Sequence, residues 1–477
     1  MKVWYNGIPA FFLSLSPLSM KGLFWHLYQR YLMWYHALRP TYALMIGYTF
    51  YILITFALLC LPICRNVPDV PLIDIFFTAL ASITTSGLQT VNFANTYNIV
   101  GQVIVLLGIQ VAGLGYMTLG SLVILASKGH LSRSRLKIGQ AVLAMPESFN
   151  PNMFLKHIAV YTFFVELIGA LILWLCFLQA GTPNPLWAAI FHSITAFCTA
   201  GISIFPDNLV SFSDNAAITL TIAALCLLGG IGFIVMDDLY RSIKHERLQA
   251  TLTTKIILTA TFGSVLVGTL FLFFDPNLAE MTLKERFLAA FMQTVSAITT
   301  SGFNSIPING LASATLVIVI GLMILGASPS GTGGGLKSTT WSAAIATIVS
   351  FFHGREKITF FGYTVPPSRT TAAFAAITLY LFTFAFGTYC LLLVETHPFE
   401  SVVLEVASAL GTVGLSCGIT SKLTFLGKIV IMLLMFIGRL GVLSLALGAA
   451  ALYHDISHDW YQRSQEKTPP KEDDIVL

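Results

Sequence analysis

Four short segments of the chain each place a threonine two residues before a glycine. They read ITTSGL at 83–88, FCTAGI at 197–202, ITTSGF at 298–303 and LGTVGL at 410–415. Threonine oxygens and backbone carbonyls can replace the hydration shell of a monovalent cation when several loops direct them at one axis, and glycine permits the backbone angles that this requires. The pattern predicts an ion filter for a monovalent cation, formed by Thr84, Thr85, Ser86, Gly87, Cys198, Thr199, Ala200, Gly201, Thr299, Thr300, Ser301, Gly302, Gly411, Thr412, Val413 and Gly414.

Each of these strings directly follows a short apolar segment. The four segments are 71–83, 185–197, 283–298 and 398–410, and three of them open with proline. At 1.5 Å per residue, a helix of this length reaches only about 20–24 Å, which is too short to span a bilayer. The sequence therefore predicts four half-helices that enter the membrane and turn back, within a fourfold internal repeat.

The composition indicates the setting of these half-helices. Of 477 residues, 56% are hydrophobic and only 10% are charged, whereas soluble domains carry about 25% charged residues. Both a disordered chain and a solenoid are excluded, and the sequence predicts an all-α polytopic membrane protein whose four pseudo-repeats of helix, pore half-helix, filter loop and helix surround one central pore. The eight predicted spanning segments lie near 42–64, 98–126, 155–180, 216–240, 254–274, 311–327, 370–394 and 426–452.

The basic residues predict the orientation. With both termini in the cytoplasm, the inner segments hold nineteen of the 26 lysines and arginines, as the positive-inside rule requires. The predicted divisions are an N-terminal interfacial segment at 1–41, pore repeat 1 at 42–126, a cytoplasmic loop at 127–154, pore repeat 2 at 155–245, pore repeat 3 at 246–352, a second cytoplasmic loop at 353–369, pore repeat 4 at 370–452 and a cytoplasmic tail at 453–477.

A glycine-rich stretch interrupts the second helix of the third repeat. It begins only 24 residues after Gly302, and its composition is that of a loop. Backbone of this kind is tolerated at membrane depth only where protein or water surrounds it. We expect an intramembrane loop at 326–338 beneath the filter, with an ordinary cytoplasmic linker as the alternative. Its candidate site residues are Gly326, Ser330, Gly331, Gly333, Gly334, Gly335 and Lys337.

Two further charges fall inside spanning segments. Charges at membrane depth are costly and usually face the interior of the bundle. We expect Arg439 to control passage together with this loop, since a positive charge below the filter would raise the barrier to cations; the alternative is a buried arginine that ties the broken loop to its helix. For Glu166, a structural hydrogen bond is at least as well supported as a role in ion coupling.

The loops, together with GASPSGTGGGLKSTT at 326–340 and MFIGRLGVLSLALG at 435–448, resemble the Trk/Ktr/HKT superfamily of potassium transporters. The bacterial Ktr-type membrane subunit is the most similar type. The resemblance implies potassium uptake across the bacterial inner membrane, with one pore per subunit, a homodimer and a cytoplasmic nucleotide-binding regulatory subunit of the RCK type. It also assigns the role of gate to the glycine-rich loop.

Two alternatives remain open from the sequence. The family often has asparagine where this chain has Thr199, so a sodium-conducting or sodium-coupled member is the first. A membrane-embedded enzyme is the second, and it would need a convergent set of catalytic groups. HExxH and GxSxG are absent from the spanning segments, so we expect no enzyme. We also expect no bound cofactor, potassium as the transported ion, and the bilayer but no nucleic acid as a partner.

Overall fold

The computed structural model describes residues 40–126, 151–244, 251–329, 331–355 and 357–446. Most of the predicted N-terminal segment, most of the loop at 127–154, the C-terminal tail and Ser330 of the predicted gate lie outside the described residues. The described chain is mostly α-helical, which confirms the predicted fold class. A short antiparallel hairpin pairs β1 (Thr359–Phe360) with β2 (Tyr363–Thr364).

An outer helix, a short pore helix and an inner helix follow one another four times, and we call these groups units 1 to 4. Unit 1 contains outer helix α1 (Pro40–Leu59), pore helix α2 (Leu72–Ile83), the single turn α3 (Phe93–Thr96) and inner helix α4 (Ile99–Ala126). Unit 2 contains outer helix α5 (Pro151–Gln179), pore helix α6 (Pro185–Phe197), inner helix α7 (Ala216–Ile231) and its continuation α8 (Phe233–Lys244).

Units 3 and 4 repeat this order. Unit 3 contains outer helix α9 (Leu252–Phe273), pore helix α10 (Leu283–Thr299), inner helix α11 (Ser313–Leu325) and, after a loop, α12 (Ser338–Phe352). Unit 4 contains outer helix α13 (Pro367–Val394), pore helix α14 (Phe399–Gly411) and inner helix α15 (Phe425–Leu440).

Each pore helix begins at a proline or at a capping residue. Pro71 and Pro398 cap α2 and α14, and Pro185 is the first residue of α6. A proline costs nothing there, because the amides of a first turn have no partner within the helix. In α10, Thr282 and Glu285 form a capping box instead, which satisfies two of those amides.

Apolar side chains face outward on the outer helices. Among the described residues, three helices are long and apolar enough to cross a membrane, namely Lys156–Gln179, Leu252–Phe273 and Pro367–Val394, and only 28%, 28% and 17% of their most apolar windows are buried. The pore helices, by contrast, are largely buried between them. This arrangement suits a hydrocarbon environment, where exposed leucine and phenylalanine carry no penalty.

Two predicted spanning helices differ from the structure. The sequence predicts spanning segments over 216–240 and 426–452, but the helices there end at Gly232 and Gly441, whose φ angles are +91° and +82°. A Cβ atom at Gly232 would lie 2.7 Å from the carbonyl oxygen of Pro329. The break therefore makes room for the glycine-rich loop of unit 3, and the apolar residues on either side conceal it in the sequence.

Candidate functional site

The four predicted filter loops meet in a closed ring. A Cβ atom added to the loop glycine of one unit would overlap the backbone of the next unit in order, and unit 4 returns to unit 1. The overlaps are Gly87 with the Ala200 carbonyl oxygen, Gly201 with that of Ser301, Gly302 with that of Val413, and Gly414 with that of Ser86. We call these four the ring glycines; all have positive φ, between +61° and +102°.

Each pore helix ends in the same hydrogen-bonded turn. In α2, the Thr85 amide donates to the Ser82 carbonyl at 3.2 Å and the Ser86 amide to the Ala81 carbonyl at 2.9 Å, which is a Schellman motif. The other units repeat both bonds within 0.1 Å. The residue with left-handed backbone angles in this motif is usually glycine, but here it is a threonine in every unit: Thr85, Thr199, Thr300 and Thr412, with φ of 50°, 50°, 56° and 50°.

A threonine in the left-handed region is strained, because its branched Cβ meets the backbone. Such strain costs about 1–3 kcal/mol per residue and persists where the surrounding structure imposes it, often at functional sites. Every non-glycine filter residue is also at most 2% exposed. Four strained, buried loops therefore bring backbone carbonyls, threonine hydroxyls and the negative ends of four pore helices into one small region.

The side chains of Thr85, Thr199, Thr300 and Thr412, which we call the ring threonines, each contact one of two elements. One is Arg439; the other is the loop at 326–337, which we call the gate segment. Arg439 Nη1 donates to Thr85 Oγ1 at 2.8 Å, Thr199 Oγ1 lies 3.1 Å from Thr332 Oγ1, and the Gly334 amide donates to Thr300 Oγ1 at 2.8 Å. Thr412 Oγ1 is so close to Gly334 that a Cβ atom there would overlap it.

The described part of the gate segment is held by other units. The amides of Ser328 and Thr332 donate to the Gly230 and Gly229 carbonyls at 3.2 and 3.1 Å. Both carbonyls belong to the last turn of α7, so the gate segment supplies hydrogen-bond donors at the end of that helix. Gly331 and Gly334 are buried. The segment thus differs from the alternative of an ordinary, exposed linker.

The two charges predicted near the gate lie close to it. Arg439 is 2% exposed, and it donates to the Thr332 carbonyl at 2.7 Å and to the Ala112 carbonyl of α4 at 3.0 Å. Lys337 is half-buried, and its ammonium donates to the Gly333 carbonyl at 2.8 Å. Arg439 therefore joins the gate segment to unit 1 through hydrogen bonds, and it places a positive charge next to Thr85 of the ring.

Glu166 lies behind the loop of unit 2. Its carboxylate accepts a hydrogen bond from Gln110 Nε2 at 3.0 Å, and Gln110 Oε1 lies 3.4 Å from Cys198 Sγ. The hydrogen bond fits the structural interpretation of this charge.

Several residues at the site were missing from the sequence-based predictions. Ser328 and Thr332 lie among the predicted gate glycines, but their bonds to α7 depend on tertiary packing. Three buried polar side chains of the pore helices were also missed, although a signal for them was available. When the four segments are aligned on the ring glycines, the residue nine positions earlier is Thr78, His192, Gln293 or Glu405.

The oxygen-rich ring suits an alkali cation better than a transition metal, which would need histidine, cysteine or carboxylate ligands. Among the described residues, there is no group of three or more such side chains that could hold a metal ion. Hydroxyl and carbonyl oxygens remain as the candidate ligands; carbonyl oxygens are the ligands in the filters of potassium channels.

Comparison with known sequences supports a transport role. The cation transport protein family TrkH matches residues 41–457. The Ktr system potassium uptake protein B of Bacillus subtilis is 32% identical over 418 residues, which cover 86% of this chain and 93% of that protein. The potassium/sodium uptake protein NtpJ of Enterococcus hirae is 32% identical over 416 residues, covering 84% and 91%.

A solved structure has the same fold. The crystal structure of the potassium transporter TrkH from Vibrio parahaemolyticus matches with a TM-score of 0.64 at 19% identity, and the match covers 84% of each chain. The relatives are named as transporters rather than enzymes, in agreement with the expectation from sequence. The chain thus belongs to the TrkH/Ktr family of cation transport proteins, which are multi-pass membrane proteins.

Proposed function

We propose that this protein takes up potassium through the ring of four loops. The observation that carries the proposal is the closed order of the ring, in which each ring glycine fits against the carbonyl of the next unit. The choice of potassium as the ion rests on relatives at 32% identity that are named potassium uptake proteins. A dehydrated potassium ion would be bound by loop carbonyls and threonine hydroxyls in place of water.

The gate segment and Arg439 would close the pathway beneath the ring. Their hydrogen bonds to Thr85, Thr199 and Thr300 occupy hydroxyls that would otherwise face a passing ion. Opening would break these bonds and move the guanidinium away from the axis. A positive charge left on the axis would raise the energy of a cation there, because charges interact strongly in a region that excludes water.

The proposed setting follows from the family. We place the protein in the bacterial inner membrane with both termini in the cytoplasm, as a homodimer under the control of a cytoplasmic RCK-type regulatory subunit that binds nucleotide. The chain itself would bind no cofactor, and potassium would be its cargo.

Sodium is the second candidate ion. A relative that is equally similar, NtpJ, is named a potassium/sodium uptake protein, and Thr199 departs from the family pattern at the ring. A sodium-coupled or sodium-conducting variant of the same pathway would use the same loops. Uptake measured with potassium alone, sodium alone and both ions separates the two candidates.

Potassium-limited growth tests the proposed function. A strain that lacks its own uptake systems would receive the wild-type protein with its regulatory subunit, and Gly302→Ser and Gly414→Ser would be compared with it. We expect the wild type to restore growth at low potassium and both variants to fail, since an added side chain would overlap the next loop. Failure of the correctly inserted wild type would contradict potassium uptake.

A further inference from the structure

Three pore helices each carry a buried polar side chain nine residues before the ring glycine. The side chains are His192 in unit 2, Gln293 in unit 3 and Glu405 in unit 4, and each residue is 0% exposed. Burying a polar group is unfavourable unless hydrogen bonds replace its contacts with water. The hydrogen-bond partners of these three side chains therefore indicate the role of each side chain.

All three contact the chain just after the ring glycine of their own unit. His192 Nε2 lies 2.8 Å from Ser203 Oγ, Gln293 Nε2 donates to Ser305 Oγ at 3.5 Å, and Ser416 Oγ donates to a Glu405 oxygen at 2.8 Å. The serines lie two or three residues after their ring glycines. Each polar side chain thus connects its pore helix to the segment that leaves the filter, which we call the outgoing limb.

The connection in unit 4 is the most extensive. Ser416 donates to one carboxylate oxygen of Glu405 and Thr420 to the other. The Gly418 amide donates to Ser416 Oγ at 2.9 Å, and the Thr420 hydroxyl lies 3.0 Å from it. Breaking any of these bonds would leave a buried polar group without a partner, which is costly. Glu405 therefore restrains the outgoing limb of unit 4 over residues 416–420.

We propose that Glu405 is a positioning residue of the ion filter, which sets ion discrimination by fixing the outgoing limb that begins at Gly414. This inference rests on the proposed function. Discrimination depends on cavity size or on the number and field strength of the coordinating oxygens, and either property requires loops held to within about 0.5 Å. Glu405 acts on the ion only through the loop.

Unit 1 offers an internal control. The corresponding residue is Thr78, and its hydroxyl donates to the Asp74 carbonyl within its own helix at 2.9 Å. This bond leaves the outgoing limb of unit 1 untouched. Thr78→Val should therefore leave ion discrimination at the wild-type level.

The test compares the rates of potassium and sodium uptake in cells that lack their own potassium uptake systems, with the amount of protein in the membrane measured in parallel. Glu405→Ala should lower the potassium to sodium ratio about tenfold, since it leaves two buried hydroxyls without their acceptor. Glu405→Gln, which introduces the side chain that unit 3 has at this position, should stay within about threefold of the wild type, because a glutamine oxygen still accepts a hydrogen bond. Ser416→Ala should lower the ratio about threefold and add nothing to Glu405→Ala, as expected for two members of one network.

Three results would overturn the proposal: an unchanged ratio in Glu405→Ala, a Glu405→Gln ratio as low as that of Glu405→Ala, or additive effects with Ser416→Ala. If Glu405→Ala fails to reach the membrane, Ser416→Ala and Thr420→Val test the proposal instead, because each removes one hydroxyl only. An unchanged potassium to sodium ratio in both variants would overturn it. Glu400→Ala removes an exposed carboxylate from the same pore helix and should leave the ratio unchanged. Failure of the proposed function would be seen separately, as absence of potassium uptake by the wild type.

Discussion

The filter ring and the gate segment lie in direct contact, yet they are built in opposite ways. Each filter loop occurs in four copies and is shaped by the end of its own pore helix, where two backbone hydrogen bonds fix the turn. The gate segment occurs once and is held through bonds to Gly229, Gly230 and Thr300 of other parts of the chain. The loops are fixed locally, whereas the gate segment is fixed by tertiary contacts.

In the proposed mechanism, this difference allows the filter loops to stay rigid while the gate segment moves. Moving a filter loop would require unwinding a buried helix end and breaking its contact with the next unit. Releasing the gate segment would break individual hydrogen bonds, each worth about 0.5–1.5 kcal/mol, or about 1.5–3 kcal/mol where Arg439 is the donor. In the proposed mechanism, the regulatory subunit would supply energy of this size by binding the closed and open states with different affinities.

The largest expected effect is a loss of potassium uptake when a ring glycine, rather than another glycine, is replaced. Gly201→Ala or Gly302→Ala should lower potassium uptake at least about 100-fold, because the left-handed backbone and the overlap with the next unit both oppose a side chain. Gly321→Ala in α11 is the matched control, since a Cβ atom there meets nothing within 4 Å. Uptake normalised to the amount of protein in the membrane measures both variants. Uptake at the wild-type level in the ring variants would contradict the claim that the filter loops are rigid and tightly packed.

The next effect should appear at Arg439, with the opposite sign. Arg439→Gln removes the positive charge and the guanidinium bonds to Thr85, Thr332 and Ala112, so we expect potassium flux to rise about tenfold or more. Flux into proteoliposomes that contain the purified protein measures the change. Unchanged flux in a correctly assembled variant would rule out the electrostatic barrier.

The smallest effect should come from a single hydroxyl of the gate segment. Thr332→Val keeps the shape of the side chain but removes its hydrogen bonds to Thr199 Oγ1 and to the Phe197 carbonyl, which are 3.1 and 3.0 Å long. We expect flux to rise about three- to fivefold, since a loss of about 1 kcal/mol changes a two-state ratio by that factor. The same flux measurement applies, and lower flux would mean that Thr332 supports the open pathway instead.

The contrast between the two regions also explains what the sequence could predict. The turn after each pore helix is determined locally, so a repeated threonine and glycine sufficed to place the ring residues together. The gate segment was predicted as a loop from its glycines, and its position beneath the ring followed from its short distance to Gly302. Its hydrogen bonds to α7 were not predictable, because Ser328 and Thr332 carry no local signal for partners about 100 residues away.

The sequence-based prediction failed mainly at the breaks inside apolar helices. Gly232 and Gly441 lie in apolar surroundings in which glycine is common, so composition predicts continuous helices there. The break at Gly232 is imposed by the backbone of the gate segment packed against it, which is a tertiary cause. Glu405 was missed for another reason: its position relative to the ring glycine has meaning only when the four units are compared.

Anomalous diffraction from crystals grown in rubidium tests the central claim most directly. Rubidium is an alkali cation that replaces potassium and can be located by its anomalous signal. We predict rubidium density on the axis between Gly87, Gly201, Gly302 and Gly414, and its loss in a Gly302→Ala crystal. A transport-competent protein with rubidium bound elsewhere and an empty ring would contradict the proposal that these four loops form the ion filter.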